Sequence, residues 1–252
     1  MFKNAIFALL FFLLVNIAAV KHTIAQELIF GIEPFPPIFT ENGQGLGADL
    51  LKKIQKNSDL NFQIRIMTYA RAKKELKNDR IDAIGLIPKG LETKEFYQYA
   101  LELDWYFNNH VDIYSLEQKY LNIDAIPTKS LGTLIGNADF FAAVLNIPRK
   151  KFFEVSSLDQ LIKMLEKKRL NAIVFERVST MSSIQKFKQK NVYYRFLKDI
   201  PATFAVPNTE QGKELKLLLD SHIKQHTTAD TFQRDPRYHN LPIQGKVPQI
   251  QH

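Results

Sequence analysis

The decapeptide LKNDRIDAIG, from Leu76 to Gly85, returns as LEKKRLNAIV from Leu165 to Val174. Each copy contains the end of an amphipathic helix, a charged turn and a short apolar run of β type, which together form the second half of a β-α-β unit. A β-like run and a stretch of helical pattern precede both copies. The sequence therefore predicts two similar α/β lobes, and the cleft between two lobes is a common place for a small ligand.

The N-terminal sequence MFKNAIFALLFFLLVNIAAVKHTIAQ has an early lysine, an apolar run from Ala5 to Val15 and the small-residue stretch 23–25. This pattern is typical of a secretory signal peptide, which we assign to residues 1–25. The alternative is an uncleaved membrane anchor. It is disfavoured because Asn16 and Lys21 leave the run short of the ~20 apolar residues that a spanning helix needs. We therefore expect a periplasmic protein.

Composition excludes several classes of site. The 252 residues include no cysteine, which excludes disulfides, thiolate catalysis and zinc-cysteine sites. The formal net charge is +8, but the basic runs 149–151 and 167–169 fall at helix or turn ends, where a solvated face is expected, so we predict no nucleic-acid partner. His222 and His226 lack the glutamate of an HExxH motif, and no GxSxG, P-loop or GxGxxG sequence is present. We predict no metal, no cofactor and no catalytic residue.

Strand and helix patterns alternate along the chain, which favours a mostly parallel sheet in each lobe. Predicted strands are Leu28 to Ile32, Leu60 to Ile66, Ile81 to Leu86, Leu131 to Ile135, Phe152 to Val155, Leu170 to Phe175 and the extended stretch Tyr193 to Val206. Predicted helices follow Asp49 and Asn137 and cover Ala70 to Asn78, Leu158 to Lys168 and Gly212 to Gln225. The tail from Asp235 onward has no periodicity and is interpreted as surface wrapping or disorder.

The order of these elements predicts a discontinuous first lobe, residues 26–112 and 204–252, and a second lobe of residues 113–203. The chain then crosses between the lobes twice, and two crossings form a hinge. The candidate hinge strands are Val111 to Tyr114 and Thr203 to Val206.

Several segments together resemble the extracytoplasmic solute-binding proteins of polar amino-acid ABC transporters, the family 3 periplasmic binding proteins. They are FPPIF at 35–39, GLGADLLKKI at 45–54, TYARAKKELKNDRIDAI at 68–84, LGTLIGNADF at 131–140 and LDQLIKMLEKKRLNAIVFE at 158–176. The individual motifs are loose, but their order and spacing extend from Leu28 to Phe232. The resemblance implies the type II two-lobed fold with a two-strand hinge, enclosure of a ligand by hinge closure, and delivery of that ligand to a membrane permease.

The sequence departs from this family at the ligand. Family members that bind α-amino acids carry an arginine that holds the ligand carboxylate, and the aligned residue here is Thr93. Lys89 or Lys94 can supply a point charge but not a planar, two-pronged contact. The amine-binding aspartate of the family aligns with Glu176. The resemblance therefore supports binding by this fold more strongly than it supports an amino acid as the ligand.

Ligands of open α/β units collect at the carboxyl ends of the strands, and this rule selects candidates without any family knowledge. The predicted ligand-binding residues are Glu33, Phe35, Tyr69, Arg71, Lys89, Thr93, Asn137 and Glu176. The aromatic rings of Phe35 and Tyr69 serve either as ligand walls or as ordinary packing. Arg71 lies in a helix first turn, which the helix dipole disfavours for a cation, so it is expected to face a ligand anion, Glu33 or Glu176. Glu176 is expected to bind a ligand cation or to pair with Arg177 or Arg71.

The favoured function is binding of a small polar solute, an amino acid or a similar molecule, by a monomeric, non-enzymatic protein that serves an inner-membrane ABC permease. One alternative is an enzyme of the cyclohexadienyl dehydratase branch of the same family, with Glu176 and Lys89 as acid and electrostatic partner. The other is a ligand-sensing partner of a membrane receptor without a transport role.

Overall fold

The structure is a computed structural model that describes residues 27–228, 231–232, 238 and 240–249. The predicted signal peptide lies outside the described residues. The strands are β1 (Glu27–Ile32), β2 (Asn61–Ile66), β3 (Ala83–Pro88), β4 (Ala100–Glu102), β5 (Phe107–Ser115), β6 (Leu131–Leu134), β7 (Phe152–Val155), β8 (Ala172–Glu176), β9 (Tyr193–Pro207) and β10 (Gln244–Lys246). The α-helices are α1 (Leu46–Lys56), α2 (Tyr69–Lys77), α3 (Phe96–Tyr99), α4 (Ala138–Val144), α5 (Leu158–Glu166), α6 (Arg177–Lys186) and α7 (Glu210–His226). Short 3-10 helices cover Gln118–Leu121, Ile123–Ala125 and Arg149–Lys151.

Two copies of one β-α-β arrangement form the two lobes. In the first lobe β1 lies between β2 and β3, parallel to both. In the second lobe β6 lies between β7 and β8, again parallel to both. Each lobe has its own apolar core, one containing Phe30 and Leu51 and the other containing Leu161 and Ile173. The mixed α/β class and the two-lobed arrangement predicted from the sequence are confirmed.

The two decapeptides adopt the same backbone conformation. Asp79 and Lys168 occupy equivalent positions just after α2 and α5, and both have positive φ angles, 53° and 54°. A residue in the left-handed region ends each helix and turns the chain into the next strand. Below each turn an apolar side chain covers a strand glycine, because a Cβ placed on Gly31 would lie 2.6 Å from Ile81 Cδ1 and one on Gly132 would lie 2.5 Å from Leu170 Cδ1.

The long strands β5 and β9 join the lobes, so one sheet runs through both in the order β2-β1-β3-β9-β5-β8-β6-β7. Residues 111–114 of β5 pair with β8 of the second lobe, and Thr203 pairs with β3 of the first. The two predicted hinge segments therefore pair within single lobes. The strand pairs that connect the lobes lie directly before these segments, where Phe107 to His110 pair with Ala202 to Asp199.

The sequence analysis did not predict α6. Its sequence, RVSTMSSIQK, buries Arg177, Ser179, Thr180, Met181, Ser183 and Ile184, which lie on several sides of the helix. A helix buried on several sides has no polar stripe, so the 3.6-residue periodicity that identified the other helices is absent.

The described part of the C-terminal tail packs on the second lobe, although the predicted boundaries place it in the first. Phe232 still belongs to the first lobe, with its ring 4.8 Å from that of Phe107. Beyond it, β10 pairs antiparallel with Tyr193–Arg195 of β9, and Val247 is buried in the second-lobe core. The prediction of surface wrapping describes residues 240–249 correctly, and the lobe boundaries themselves remain a proposal.

Candidate binding cleft between the lobes

A cavity of about 50 Å³ lies between the two lobes. Its walls come from the ends of β1 and β3, from the crossing strands β5 and β9, and from β8 and α4. Its polar lining residues are Glu33, Asn109, Asn137 and Glu176. Its apolar lining residues are Phe35, Leu86, Ile87, Pro88, Val111, Phe140, Phe141, Phe175, Ile200 and Ala202. Both lobes therefore contribute to one cavity in which a few polar groups lie among mainly apolar residues.

Direct contacts hold the lobes together around this cavity. Asn137 of the second lobe donates from Nδ2 to Glu33 Oε2 of the first lobe over 3.1 Å. The rings of Phe35 and Phe175 lie 5.9 Å apart across the same boundary. Gly136 approaches Ala70 so closely that an added Cβ would lie 2.7 Å from the Ala70 backbone nitrogen. The structure is thus a closed conformation.

Glu33 follows β1 directly and is only 8 % exposed. Its Oε1 accepts a hydrogen bond from the Tyr69 backbone N–H at 3.2 Å. Burial raises the pKa of Glu33 from 4.5 to about 7, and the hydrogen bonds from Asn137 and Tyr69 and the charge of Lys73 only partly oppose this rise. This carboxyl group therefore changes its charge near neutral pH.

Glu176 lies at the junction of β8 and α6 and is 4 % exposed. Its two carboxylate oxygens accept from the backbone N–H groups of Val178, at 2.8 Å, and Ser179, at 2.7 Å, so the side chain caps its own helix. Burial is again the main cause that raises the pKa, here to about 7, and the cap hydrogen bonds oppose it. Two buried carboxyl groups with raised pKa values therefore line the cavity, one from each lobe.

Arg177 does not pair with Glu176, as one reading of the sequence expected. Its guanidinium makes a two-pronged contact with Asp112 of β5, with Nε–Oδ2 at 2.7 Å and Nη2–Oδ1 at 2.8 Å. Both side chains are buried, at 3 % and 0 % exposure. The rings of Tyr194 and Phe196 lie 5.6 and 5.8 Å from the guanidinium carbon. The positive charge of Arg177, the residue that follows Glu176, is therefore already neutralised by Asp112.

Four of the eight predicted residues line the cavity, namely Glu33, Phe35, Asn137 and Glu176. The structure places the other four elsewhere in the first lobe. Arg71 is exposed and contacts Glu75 one turn along α2, with Nε–Oε1 at 3.7 Å, so it faces neither Glu33 nor Glu176. The ion pair with Glu75 offsets the unfavourable position of the Arg71 cation in the first turn of the helix. The Thr68 side chain caps the same turn by accepting a hydrogen bond from the Arg71 backbone N–H.

Tyr69, Lys89 and Thr93 have structural partners outside the cavity lining. Tyr69 is buried and its hydroxyl donates to Glu92. Lys89 donates to the Leu103 carbonyl. Thr93 is exposed and its Oγ1 accepts from the Phe96 backbone N–H at 3.2 Å. The position aligned with the family arginine therefore lies on an outer turn of this chain, and the roles of all eight residues in binding remain predictions.

The sequence analysis missed the cavity residues of the crossing strands and of α4. The crossing strands β5 and β9 contribute Asn109, Val111, Ile200 and Ala202. None of these residues follows the carboxyl end of a strand, so the strand-end rule does not select them. Phe140 and Phe141 carry a helical pattern that predicts only core packing. The only signal for Asn109 is an amide at the start of a long strand, which by itself indicates no site.

Comparison with solved structures identifies the fold. A mutant of the arginine-binding protein ArgBP from T. maritima superposes with a TM-score of 0.65 at 19 % identity, over 82 % of this chain and 92 % of that one. An ABC uptake transporter substrate-binding protein from Streptococcus pneumoniae with bound histidine gives a TM-score of 0.65 at 15 % identity, over 86 % and 94 %. The chain has the two-lobed periplasmic-binding-protein fold. An ancestral arginine-binding protein bound to arginine shares this binding-protein fold, with a TM-score of 0.65 at 18 % identity, over 82 % of this chain and 95 % of that one.

Sequence comparison adds nothing to this, because no protein-family profile and no curated protein matches the chain. At these low identities the binding-protein fold is what the likeness establishes. Within the described part of the chain, no helix combines the length and hydropathy of a membrane-spanning segment.

Proposed function

We propose that this chain is a periplasmic solute-binding protein that encloses a small polar solute between its lobes and delivers it to an ABC permease. The observation that carries the proposal is the closed cavity whose polar residues come from both lobes, with the Glu33–Asn137 hydrogen bond across the boundary. A solute in such a cavity contacts both lobes at once, so it stabilises the closed state relative to the open one.

Two further observations support the proposal. The fold is shared with proteins whose descriptions name arginine or histidine as the bound molecule and an ABC transporter as the system. The N-terminal signal pattern suits an exported protein, and the periplasmic location rests on that pattern.

The site chemistry gives no support to the dehydratase alternative. Prephenate and arogenate, the substrates of that branch, both carry carboxylates, whereas the described residues that line the cavity include two glutamates and no lysine, arginine or histidine. Two carboxylates in a closed, weakly solvated site repel an anionic substrate.

Closure offers a direct test. In the variant Gly136→Ala the new Cβ would meet the Ala70 backbone of the opposite lobe at 2.7 Å, so the lobes cannot close fully. Gly90→Ala is the matched control, because Gly90 also has a positive φ of 74° but has no atom within 4 Å of the added Cβ. Both variants carry similar backbone strain, and only the first obstructs closure.

The measurement combines a thermal-shift screen of small polar solutes with small-angle scattering. We expect a solute that raises the melting temperature of the parent and of Gly90→Ala and that reduces their radius of gyration. Gly136→Ala should bind the same solute about tenfold more weakly or worse and should not become more compact. The proposal fails if no small solute stabilises the parent, or if the two glycine variants lose affinity equally.

A further inference from the structure

The chemistry of the cleft also indicates which class of solute it takes. We propose that the ligand is a small organic ammonium ion that carries no carboxylate, held by Glu33 and Glu176 within aromatic walls. This inference rests on the proposed binding function and narrows it. Such a ligand differs from an α-amino acid at one group, the carboxylate. Two features of the cavity bear on that carboxylate, and two more bear on the ammonium group.

The first feature is the charge of the lining. Both ionisable residues among the described lining residues are acidic, and they come from opposite lobes. Two basic side chains close to these glutamates are engaged elsewhere: Lys73, whose charge acts on Glu33, lies 3.7 Å from Glu92, and Arg177, next to Glu176 in sequence, pairs with Asp112. A ligand carboxylate would therefore be desolvated without a cationic partner, which is costly, whereas an ammonium group would meet two carboxylates.

The second feature is that the helix N-termini at the cleft are occupied by protein carboxylates. Free backbone N–H groups at helix N-termini commonly bind anionic ligand groups in α/β proteins. Here the first N–H of α2, from Tyr69, donates to Glu33, and the N–H groups of Val178 and Ser179 in α6 donate to Glu176. At α4, the Gly136 N–H donates to Glu154 Oε1 at 2.8 Å. These four backbone donors near the cleft are thus satisfied by protein carboxylates.

The third feature is an acceptor without a partner. Asn137 is 8 % exposed and lines the cavity, and its Nδ2 is committed to Glu33. This fixes the orientation of the amide, because only the NH₂ group donates to a carboxylate. Within the described residues, Asn137 Oδ1 has no hydrogen-bond partner. This amide oxygen of a cavity-lining residue can accept from an N–H donor, which an ammonium ion supplies and a carboxylate does not.

The fourth feature is the shape and the wall of the cavity. Phe35, Phe140, Phe141 and Phe175 surround the polar groups with aromatic surface, which attracts cations and accommodates a short apolar chain. The volume of about 50 Å³ corresponds to only a few water molecules, so the head group that fits between the closed lobes is compact.

The test uses matched pairs of compounds that differ only by a carboxylate: ethylamine and alanine, histamine and histidine, agmatine and arginine. Isothermal titration calorimetry at pH 8, where both glutamates are ionised, gives the dissociation constant of each compound for the full mature chain. We expect at least one amine to bind about tenfold more tightly than its amino-acid partner. Glu33→Gln keeps the shape and an acceptor oxygen but removes the charge. It should raise the dissociation constant of that amine about tenfold or more. The exposed Glu41→Gln should leave its affinity unchanged.

The outcomes separate this inference from the proposed function. An amino acid that binds as tightly as its amine, or more tightly, overturns the inference but leaves the solute-binding function intact. If neither the amines nor the amino acids bind, and no other polar solute in the wider screen binds, then both the ammonium inference and the proposed solute-binding function are refuted. Glu176→Gln provides a second charge-removing variant in case Glu33→Gln does not fold, and an unchanged amine affinity in a folded variant of either residue contradicts the proposal.

Discussion

Replacing Glu33 by glutamine should stabilise the ligand-free protein much more at pH 8 than at pH 5. Burial raises the pKa of this carboxyl group from 4.5 to about 7. The folded state therefore binds a proton that the unfolded state releases between these values, and stability falls as the pH rises through this window. Above about pH 7 the full penalty is present, and at about 1.4 kcal/mol for each tenfold change in proton affinity it amounts to about 3 kcal/mol.

Glutamine fills the same space and keeps an oxygen that accepts from the Tyr69 N–H, but it carries no charge to desolvate. In the parent, the Asn137 amide, the Tyr69 N–H and the charge of Lys73 partly offset the cost of burying the ionised Glu33. The pKa of about 7 already contains their effect, so no separate correction is needed. The stability gained at pH 8 should thus approach about 3 kcal/mol, and at pH 5 the protonated parent and the variant should differ by about 1 kcal/mol or less.

Urea denaturation of the parent, Glu33→Gln and Glu41→Gln at both pH values measures this difference. Histidines also titrate in this range, but they are common to all three proteins and cancel in the comparison. For a chain of this size, about 3 kcal/mol corresponds to a rise in melting temperature of about 5–10 °C. The reasoning is refuted if Glu33→Gln has the same effect at both pH values, or if it is less stable than the parent at pH 8.

Three further predictions concern the scaffold. Asp112→Ala leaves the guanidinium of Arg177 buried without its partner. It should lower the free energy of unfolding, measured by urea denaturation, by about 3–5 kcal/mol. A loss below about 1 kcal/mol would contradict the burial of that pair. Deleting residues 240–252 removes the β10 pairing and the buried Val247. The deletion should lower the free energy of unfolding by about 1.5–3 kcal/mol. An unchanged melting curve would show that this segment adds no stability. Lys168→Gly removes the backbone strain of a lysine at a φ of 54° and should raise the free energy of unfolding in urea denaturation by about 1 kcal/mol. Asp79→Gly should give a smaller gain, because aspartate tolerates this conformation better. A loss of stability in both variants would contradict the shared helix ending.

The repeated α/β unit was predictable because it depends on local patterns. The apolar positions of the two decapeptides, such as Ile81 and Leu170, are buried at 3 % and 2 % exposure, as the helix and strand periodicities require. The common turn follows from the same spacing. Periodicity cannot identify a helix that is buried on several sides, and the sequence analysis did not predict α6 for that reason.

The site was only partly predictable, because the strand-end rule locates an edge of the sheet and not the direction of each side chain along it. Glu33 and Asn137 follow β1 and β6 closely and turn into the cleft. Arg71 and Thr93 belong to loops and helix starts at the same edge, but their side chains face solvent. Asn109 and Ile200 are brought together by the pairing of β5 with β9, across a sequence distance that no local pattern spans.

The lobes do not depend on residue 93 for their stability. Thr93 is exposed and belongs to none of the apolar clusters of the two lobes. A substitution at that position should therefore cost little stability. Glu33 and Glu176 act in the opposite direction, because burying their charges destabilises the empty protein at neutral pH. A bound partner can offset the cost of such buried groups, and the ammonium ligand proposed above would do so for these two carboxylates.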